Sequence, residues 1–425
     1  MGLTGLSLAS VEEIASLHGE PEWLRARRRE AWDVYEKIGL PDRSQEEWRR
    51  VDFKGFKFDD FAPYESANGG PPGLPIEGAA GVLRQRGSEP GKVEVDEELT
   101  RKGVVFMPLS QAATEHPELV RRHLFTEVTA DRDKFAAAHA ALFSGGTLLH
   151  VPDNVEIERP ILGQFWSSGG GAAVLPHTLI LAGKNSRFNY LDEFLSPSLE
   201  APAFTSGSAE IFVGEGAEVG YVSLQKWGRH AYQFANQRAH IQKGGRARIF
   251  NVTLGGRFAK VRCEANLQGP GASAELKGVY FASGDQFFDF HTLQDHRVGD
   301  TRSDLLFKGA LQDTARAVYA GLIRIEKGAA RSDAYQANRN LVLSDKSKAT
   351  SIPMLEIDNN DVRCTHGATV GPVDPMSLFY LESRGIPRAA AQRMIVQGFF
   401  GEVVDGIPFE QARRLVEEEL EARLG

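Results

Sequence analysis

The chain has 425 residues, a formal net charge of −8 and only two cysteines. Two cysteines exclude a disulfide framework and favour a reducing, cytoplasmic setting. The net negative charge argues against nucleic acid as a partner, and the absence of a run of roughly eighteen apolar residues argues against a membrane span.

Residues 1–145 are predicted to form a mostly helical N-terminal domain. The segment "EPEWLRARRREAWDVYEKIGL" (20–40) places its apolar residues at helical spacing. Two more helices are predicted at "SQAATEHPELVRRHL" (110–124) and "DRDKFAAAHAALF" (131–143). A Gly/Pro-rich stretch at 64–81 breaks this pattern and is predicted to be a surface loop.

The pattern changes over residues 146–375, where short alternating runs are separated by Gly and Asn. Four segments align with one another: "GKNSRFNYL", "GEGAEVGYVSL", "GGRARIFNVTL" and "GPGASAELKGVYF", beginning at Gly183, Gly214, Gly244 and Gly269. A repeated unit of this size is too small to bury its own apolar face, so it must stack on copies of itself. The spacing favours the coils of a β-helix or β-solenoid, with a β-sandwich or a propeller as alternatives.

Residues 376–425 are predicted to form a helical C-terminal domain. The segments "PRAAAQRMIVQGFFGEVVDGI" and "PFEQARRLVEEELEARL" repeat apolar residues four apart. Each apolar stripe either packs on the body of the same chain or docks a partner. The stripe residues proposed for the second role are Phe399, Val403, Val416 and Leu420.

The strand-like stretch "DVRCTHGATVG" (361–371) carries the first candidate site. Residues two apart in a strand face the same side about 6 to 7 Å apart. Cys364 and His366 could therefore bind one soft metal, while Thr365 would point away. Two ligands do not complete such a site. The alternative is a buried cysteine beside an ordinary histidine.

The stretch "DFHTLQDH" carries the second candidate, with Asp289, His291, Asp295 and His296. These residues could form a metal site or the acids of a β-helical carbohydrate-active enzyme, or a polar ladder along one edge of a solenoid. Cys263 alternates with apolar neighbours and is predicted to lie in the core. The sequence contains no P-loop, no dinucleotide fingerprint and no nucleophile elbow.

Three long stretches resemble the SufB/SufD family of iron–sulfur cluster assembly proteins. They include "GDTRSDLLFKGALQDTARAVYAGLIRI" (299–325), "DAYQANRNLVLS" with "CTHGATVG" (within 332–374) and "LFYLESRGIPRAAAQRMIVQGFFGEVV" (378–404). The segment at 20–49 resembles the opening helix of the SufD branch. Ser347 stands where the SufB branch carries a cysteine thought to hold the nascent cluster, which also favours the SufD branch.

The resemblance implies a fold, partners and site residues. It implies a right-handed parallel β-helix between N-terminal and C-terminal helical regions. It implies a non-catalytic scaffold that pairs with a SufB-like paralogue through the β-helix, and with a SufC-like ABC ATPase through the C-terminal helices. Two copies could also pair through the same edge.

For the candidate site, the resemblance implies that Cys364 and His366 lie at the subunit interface and take part in iron entry or cluster assembly. No tightly bound cofactor is expected, and iron or a cluster would be transient. The residues do not decide whether a flavin joins the complex. A purely structural partner role is the alternative.

Overall fold

The computed structural model describes residues 5–51, 53, 55–66, 78–168, 170–197 and 201–424. Most of the loop predicted at 64–81 lies outside these residues, and Gly81 already begins a strand. The described helices are α1 (Leu8–Leu17), α2 (Glu22–Lys37), α3 (Glu97–Arg101), α4 (Leu109–Glu115), α5 (Pro117–His123), α6 (Lys134–Leu142), α7 (Pro375–Ser383), α8 (Arg388–Val404) and α9 (Glu410–Leu424). Not one of these helices is both long and apolar enough to cross a membrane.

The strands lie mainly between the two groups of helices. They are β1 (Gly81–Arg86), β2 (Lys92–Val95), β3 (Val105–Pro108), β4 (Gly146–Val151), β5 (Ile161–Trp166), β6 (Ala173–Val174), β7 (His177–Ala182), β8 (Arg187–Leu195), β9 (Ala203–Thr205), β10 (Ser208–Val213), β11 (Glu218–Lys226), β12 (Ala231–Ile241), β13 (Arg246–Thr253), β14 (Phe258–Leu267), β15 (Ser273–Ala282), β16 (Phe287–His296), β17 (Arg302–Leu311), β18 (Arg316–Ile325), β19 (Ser332–Val342), β20 (Lys348–Ile357) and β21 (Val362–Gly371).

From β10 onward, successive strands alternate between two sheets. Among the described residues, one sheet has the order β2-β1-β5-β8-β11-β13-β15-β17-β19-β21, and the other follows β20-β18-β16-β14-β12-β10-β7-β4-β3. From β4 onward each strand pairs in parallel with the strand one coil away. This is a parallel β-solenoid of about 8 turns with helices at both ends of the chain, so the predicted fold class is confirmed.

The solenoid is held together by side chains that stack in register between coils. Ile249, Leu276 and Leu305 occupy one inward-facing position on three successive coils, and all three are fully buried. Two further coils place Gln336 and then His366 at this position. The column therefore changes from apolar to polar as it approaches the last coil.

The region before residue 146 contains strands as well as helices, which the sequence did not predict. β1 extends one sheet in parallel with β5, whereas β2 and β3 close the two sheets with antiparallel pairs. These strands are only four to six residues long, too short to show a clear alternating pattern.

The N-terminal helices pack against the outer face of the β3–β20 sheet. Trp48 and Phe135 stack at 5.3 Å, and Phe135 stacks on Phe234 of β12 at 3.6 Å between ring centroids. Arg28 of α2 is fully buried, pairs with Glu20 and donates to backbone carbonyls at the end of α6. Such a pair fixes the position of α2 because each of its charges is satisfied internally.

Candidate functional site

The last coil leaves the end of the solenoid open. In the part of the chain that the structure describes, β20 pairs only with β18 and β21 pairs only with β19. The other edge of each strand therefore presents free backbone N–H and C=O groups, which are a template for pairing with another chain. We call the last coil, residues 348–371, the open end.

Apolar side chains are exposed at the open end. Leu355 and Ile357 of β20 are each 38% exposed, and Val370 of β21 is 47% exposed. Their in-register neighbours one coil earlier, such as Ile323 and Ile325, are fully buried. The exposed residues therefore occupy core positions that another coil would cover.

Cys364 and His366 lie at these inward-facing positions. Cys364 pairs in register with Ala334 and is half-buried, whereas His366 pairs with Gln336 and is exposed. Because alternate residues of a strand share a face, both side chains point toward the interior of the solenoid. Thr365 lies on the opposite face. The expectation that the pair shares a face therefore agrees with the register.

The surroundings of Cys364 in the chain alone favour its neutral thiol over the thiolate. Partial burial raises the pKa of Cys364 above its ordinary value, so a bound metal or an imidazolium has to favour the thiolate. No group of three His, Cys, Asp or Glu side chains placed to hold a metal ion occurs among the described residues. Two potential ligands thus stand at an end that this chain does not close.

Ser347 has a structural role directly before β20. Its hydroxyl is buried and donates to the carbonyl groups of Leu311 and Ser344. Both bonds use the hydroxyl hydrogen and hold the oxygen, a neutral and hard ligand, within a turn. Ser347 is therefore a poor ligand for iron compared with a thiolate.

The "DFHTLQDH" residues do not form one site. Asp289 and His291 face outward and interact at 3.1 Å, whereas His296 faces inward and bonds to Thr301 and Ser303. Burial lowers the pKa of His296 to about 4, so this ring is neutral. The four residues therefore belong to opposite faces of β16.

The outward-facing acids line a groove of about 630 Å³ beside the N-terminal segment. Asp289 accepts from Lys260 at 2.5 Å, Asp295 pairs with Arg297 at 2.8 Å, and Glu264 pairs with Arg132. Burial opposes ionisation of Asp289, but His291 and Lys260 outweigh it and lower its pKa.

Neither Asp289 nor Glu264 suits the role of the acid of a glycosidase. A glycosidase needs one carboxylic acid that stays protonated opposite a second carboxylate. Burial of Glu264 is likewise outweighed, by Arg132, and its pKa is lowered. The arrangement fits the polar ladder considered from the sequence better than a carbohydrate-active site. Cys263 is buried in the core as predicted, and burial raises the pKa of its thiol.

The stripe residues of the C-terminal helices mostly pack inside this chain. Val403, Val416 and Leu420 are at most 2% exposed and belong to one cluster with Phe250 and other side chains of the β2–β21 sheet. Phe399 is half-buried, with the ammonium of Lys308 above its ring. The sequence-based prediction that these residues bind a partner is therefore wrong for Val403, Val416 and Leu420, because this chain's own sheet already covers them.

A different apolar surface of the C-terminal helices is open to solvent. It consists of Met376, Phe379 and Tyr380 of α7 with Met394 of α8, and we call it the tail patch. Their exposed fractions lie between 50% and 71%. Sequence reasoning missed this patch because it followed the regular four-residue stripe. The signal available was "MSLFY" in the first turns after Pro375.

Comparison with known proteins identifies the family of this chain. The family described as "SUF system FeS cluster assembly, SufBD core domain" matches residues 165–399, and the "SufBD protein N-terminal region" matches residues 92–162. These matches cover most of the β-solenoid and place it in the class of iron–sulfur cluster assembly proteins. The chain belongs to the SufBD family.

Similarity to a SufD protein indicates the SufD type. The chain is 30% identical to "Iron-sulfur cluster assembly protein SufD" of Bacillus subtilis, over 95% of this chain and 94% of that protein. It is 28% identical to an "Iron-sulfur cluster assembly SufBD family protein" of Staphylococcus epidermidis, over 99% of this chain and 94% of that protein. The chain is therefore a SufD-like member, and the resemblance seen in the sequence is confirmed.

Proposed function

We propose that this chain is a non-catalytic scaffold subunit of a cytoplasmic iron–sulfur cluster assembly complex. In this proposal the open end joins a SufB-like sister chain, and the tail patch binds a SufC-like ABC ATPase. Cys364 and His366 contribute to iron entry or cluster assembly at the joint. Iron is then a transient cargo of the complex.

One observation carries the proposal: two potential iron ligands lie in an unclosed core. Iron–sulfur clusters and structural metal sites commonly use four protein ligands. Here Cys364 and His366 are only two, and exposed Leu355 and Val370 surround an end with unpaired strand edges. A sister solenoid would cover the apolar residues, pair the strand edges and supply the remaining ligands in one step.

The sister is expected to differ from this chain at the position of Ser347. This serine is a turn residue with a satisfied hydroxyl. A sister that carries a cysteine at that position, as the SufB branch does by resemblance, would add the thiolate that this chain lacks. This favours a heterodimer of two different chains over a homodimer.

Iron binding by the assembled complex tests the metal role. Cys364→Ala and His366→Ala are each expected to reduce uptake of ferrous iron by the complex of this chain with its sister and the ATPase. Thr365→Ala is the matched control, because it changes the same strand on the opposite face. Unchanged iron uptake in the first two variants would contradict the metal role and leave a purely structural role for this chain. In that case the complex with Cys364→Ser should also be fully active.

Binding of the ATPase tests the second interface. Phe379→Ala combined with Tyr380→Ala removes two side chains that are 65% and 57% exposed, so it should weaken ATPase binding without loss of stability. Leu40→Ala is the control, since Leu40 is 52% exposed and lies in the N-terminal region. Equal affinities of both variants, measured by calorimetry, would place the ATPase elsewhere.

A further inference from the structure

Gln336 is the in-register neighbour of His366 on the preceding coil. The column that contains it places Leu305 one coil deeper and His366 one coil nearer the open end. Gln336 is fully buried, although the earlier positions of the column are apolar. An amide in such a column requires hydrogen-bond partners for both of its polar atoms.

Only one end of this amide has a partner. Its Nε2 donates to the carbonyl of Gly321 at 3.1 Å, whereas its Oε1 is buried without a hydrogen bond. Glycine at position 321 leaves space for this amide. A Cβ atom there would lie only 2.3 Å from Tyr319 Oη and 2.6 Å from Gln336 Oε1, so any other residue would clash. A buried acceptor is thus held in place beside His366 with its capacity unused.

A histidine that binds a metal needs such an acceptor. It binds through one ring nitrogen and donates the other N–H to a carbonyl or carboxylate, which fixes the tautomer and the orientation of the ring. Neighbouring strands lie about 4.8 Å apart, so side chains at paired positions on one face are within reach of each other. Gln336 and His366 occupy such paired positions on the last two coils.

We propose that Gln336 is a positioning residue for His366. Its Oε1 accepts the N–H of one ring nitrogen, so that the other nitrogen faces the open end and any iron bound there. The part that concerns iron rests on the proposed function. The hydrogen bond would form within this chain alone, when the ring of His366 turns toward the Oε1 atom that has no partner in the structure.

A structural role alone would tie β19 to β18 through the carbonyl of Gly321. Both roles predict some loss of stability when the amide is removed, so stability does not separate them. The tautomer of His366 does separate them, because only an acceptor beside the ring favours one neutral form. Gln294 is the matched control: it is fully buried, has an unpartnered Oε1 and likewise donates to another strand, here to the carbonyl of Tyr335 on β19 at 3.0 Å, but it lies on β16, which does not pair with β21.

The experiment measures ¹⁵N shifts of labelled histidines in the full chain, at a pH about two units above the ordinary histidine pKa of about 6.5. His366→Phe assigns the signal. We expect one tautomer to predominate in the wild type and in Gln336→Glu, which keeps an acceptor. In Gln336→Met the ratio of the major to the minor His366 tautomer should fall roughly three- to tenfold, which corresponds to the loss of one net hydrogen bond. Gln294→Met should leave this ratio unchanged. Gln336→Leu replaces Gln336→Met if the latter does not fold.

An unchanged His366 tautomer in Gln336→Met would overturn the positioning role, whatever the iron uptake of the complex. A shifted tautomer with normal iron uptake by the Gln336→Met complex would keep the positioning role and contradict the role of His366 in iron entry. The two proposals therefore fail separately, because the tautomer measurement requires neither iron nor the sister chain.

Discussion

At the scale of single residues, Asp192 shows how the solenoid interior accommodates a charge. Its carboxylate is completely buried and accepts from Tyr190 at 2.8 Å, Tyr221 at 2.9 Å and Thr178 at 2.8 Å. Burial nevertheless raises the pKa of Asp192 to about 7, against three hydroxyl donors that favour the charged form. The interior thus prefers the protonated acid at mildly acid pH.

This shift predicts a pH dependence of stability with a definite sign. Between pH 4 and 7 the folded chain holds the Asp192 proton and the unfolded chain releases it, so stability falls as the pH rises. Asp192→Asn cannot titrate. The unfolding free energy of Asp192→Asn minus that of wild type should therefore rise by about 2–3 kcal/mol from pH 5 to pH 7.5. Urea unfolding of both proteins at the two pH values measures this difference, and an equal difference at both would contradict the raised pKa.

Which residues share a face of one strand could be predicted from the sequence alone, because alternate residues of a strand point the same way. Asp289 and His291 are two apart, as are Cys364 and His366, and each pair shares a face of its strand. His296 is an odd number of positions from Asp289, so strand geometry already places it on the other face. Gln336 could not be found in this way, because its contact with His366 depends on the register between coils thirty residues apart.

At the scale of elements, periodicity predicted which face of a helix is buried but not what covers it. Val416 and Leu420 follow the four-residue stripe of α9 and are buried, as a stripe requires. The stripe alone does not distinguish an internal contact from a partner, because both remove the same apolar area from water. Exposure of Phe379 and Tyr380 depends on the angle at which α7 leaves the last coil, which no local pattern records.

Val416→Ala tests whether α9 is held by its own chain. Val416 is fully buried, so losing two methyl groups should lower the local stability of α9 by about 1.5–3 kcal/mol in the absence of any partner. Hydrogen exchange of the isolated chain should show faster exchange in α9. Glu418→Ala, at an exposed position of the same helix, should not. Equal protection in both variants would mean that α9 is packed only in a complex.

At the scale of the whole molecule, the two ends of the solenoid are built differently. The first end is closed by β2 and β3, which are four residues long and pair antiparallel with β1 and β4. β2 carries Lys92 and Glu94 toward solvent, and β3 ends in Pro108. Short, charged edge strands prevent edge-to-edge pairing. The last end has two ten-residue strands in parallel register with an exposed apolar interior.

In the proposed assembly, one open end per chain limits growth to a pair. Two open ends would allow head-to-tail growth into fibres, whereas a single one is consumed when two solenoids meet. In the absence of its sister, the chain should therefore form nothing larger than twice 46.6 kDa in light scattering, even at high concentration. Leu355→Asp combined with Val370→Asp places charge in the exposed core positions and should abolish pairing with a second copy and with the sister alike.

Lys92→Asp is the control for this experiment, since it adds negative charge at the closed end and should leave pairing unchanged. Two results would contradict the argument: larger assemblies of the wild-type chain, or normal pairing of the doubly substituted one. The first would mean that β2 and β3 do not close their end. The second would mean that the sister meets another surface, so that Cys364 and His366 would have to obtain their remaining ligands from solvent alone.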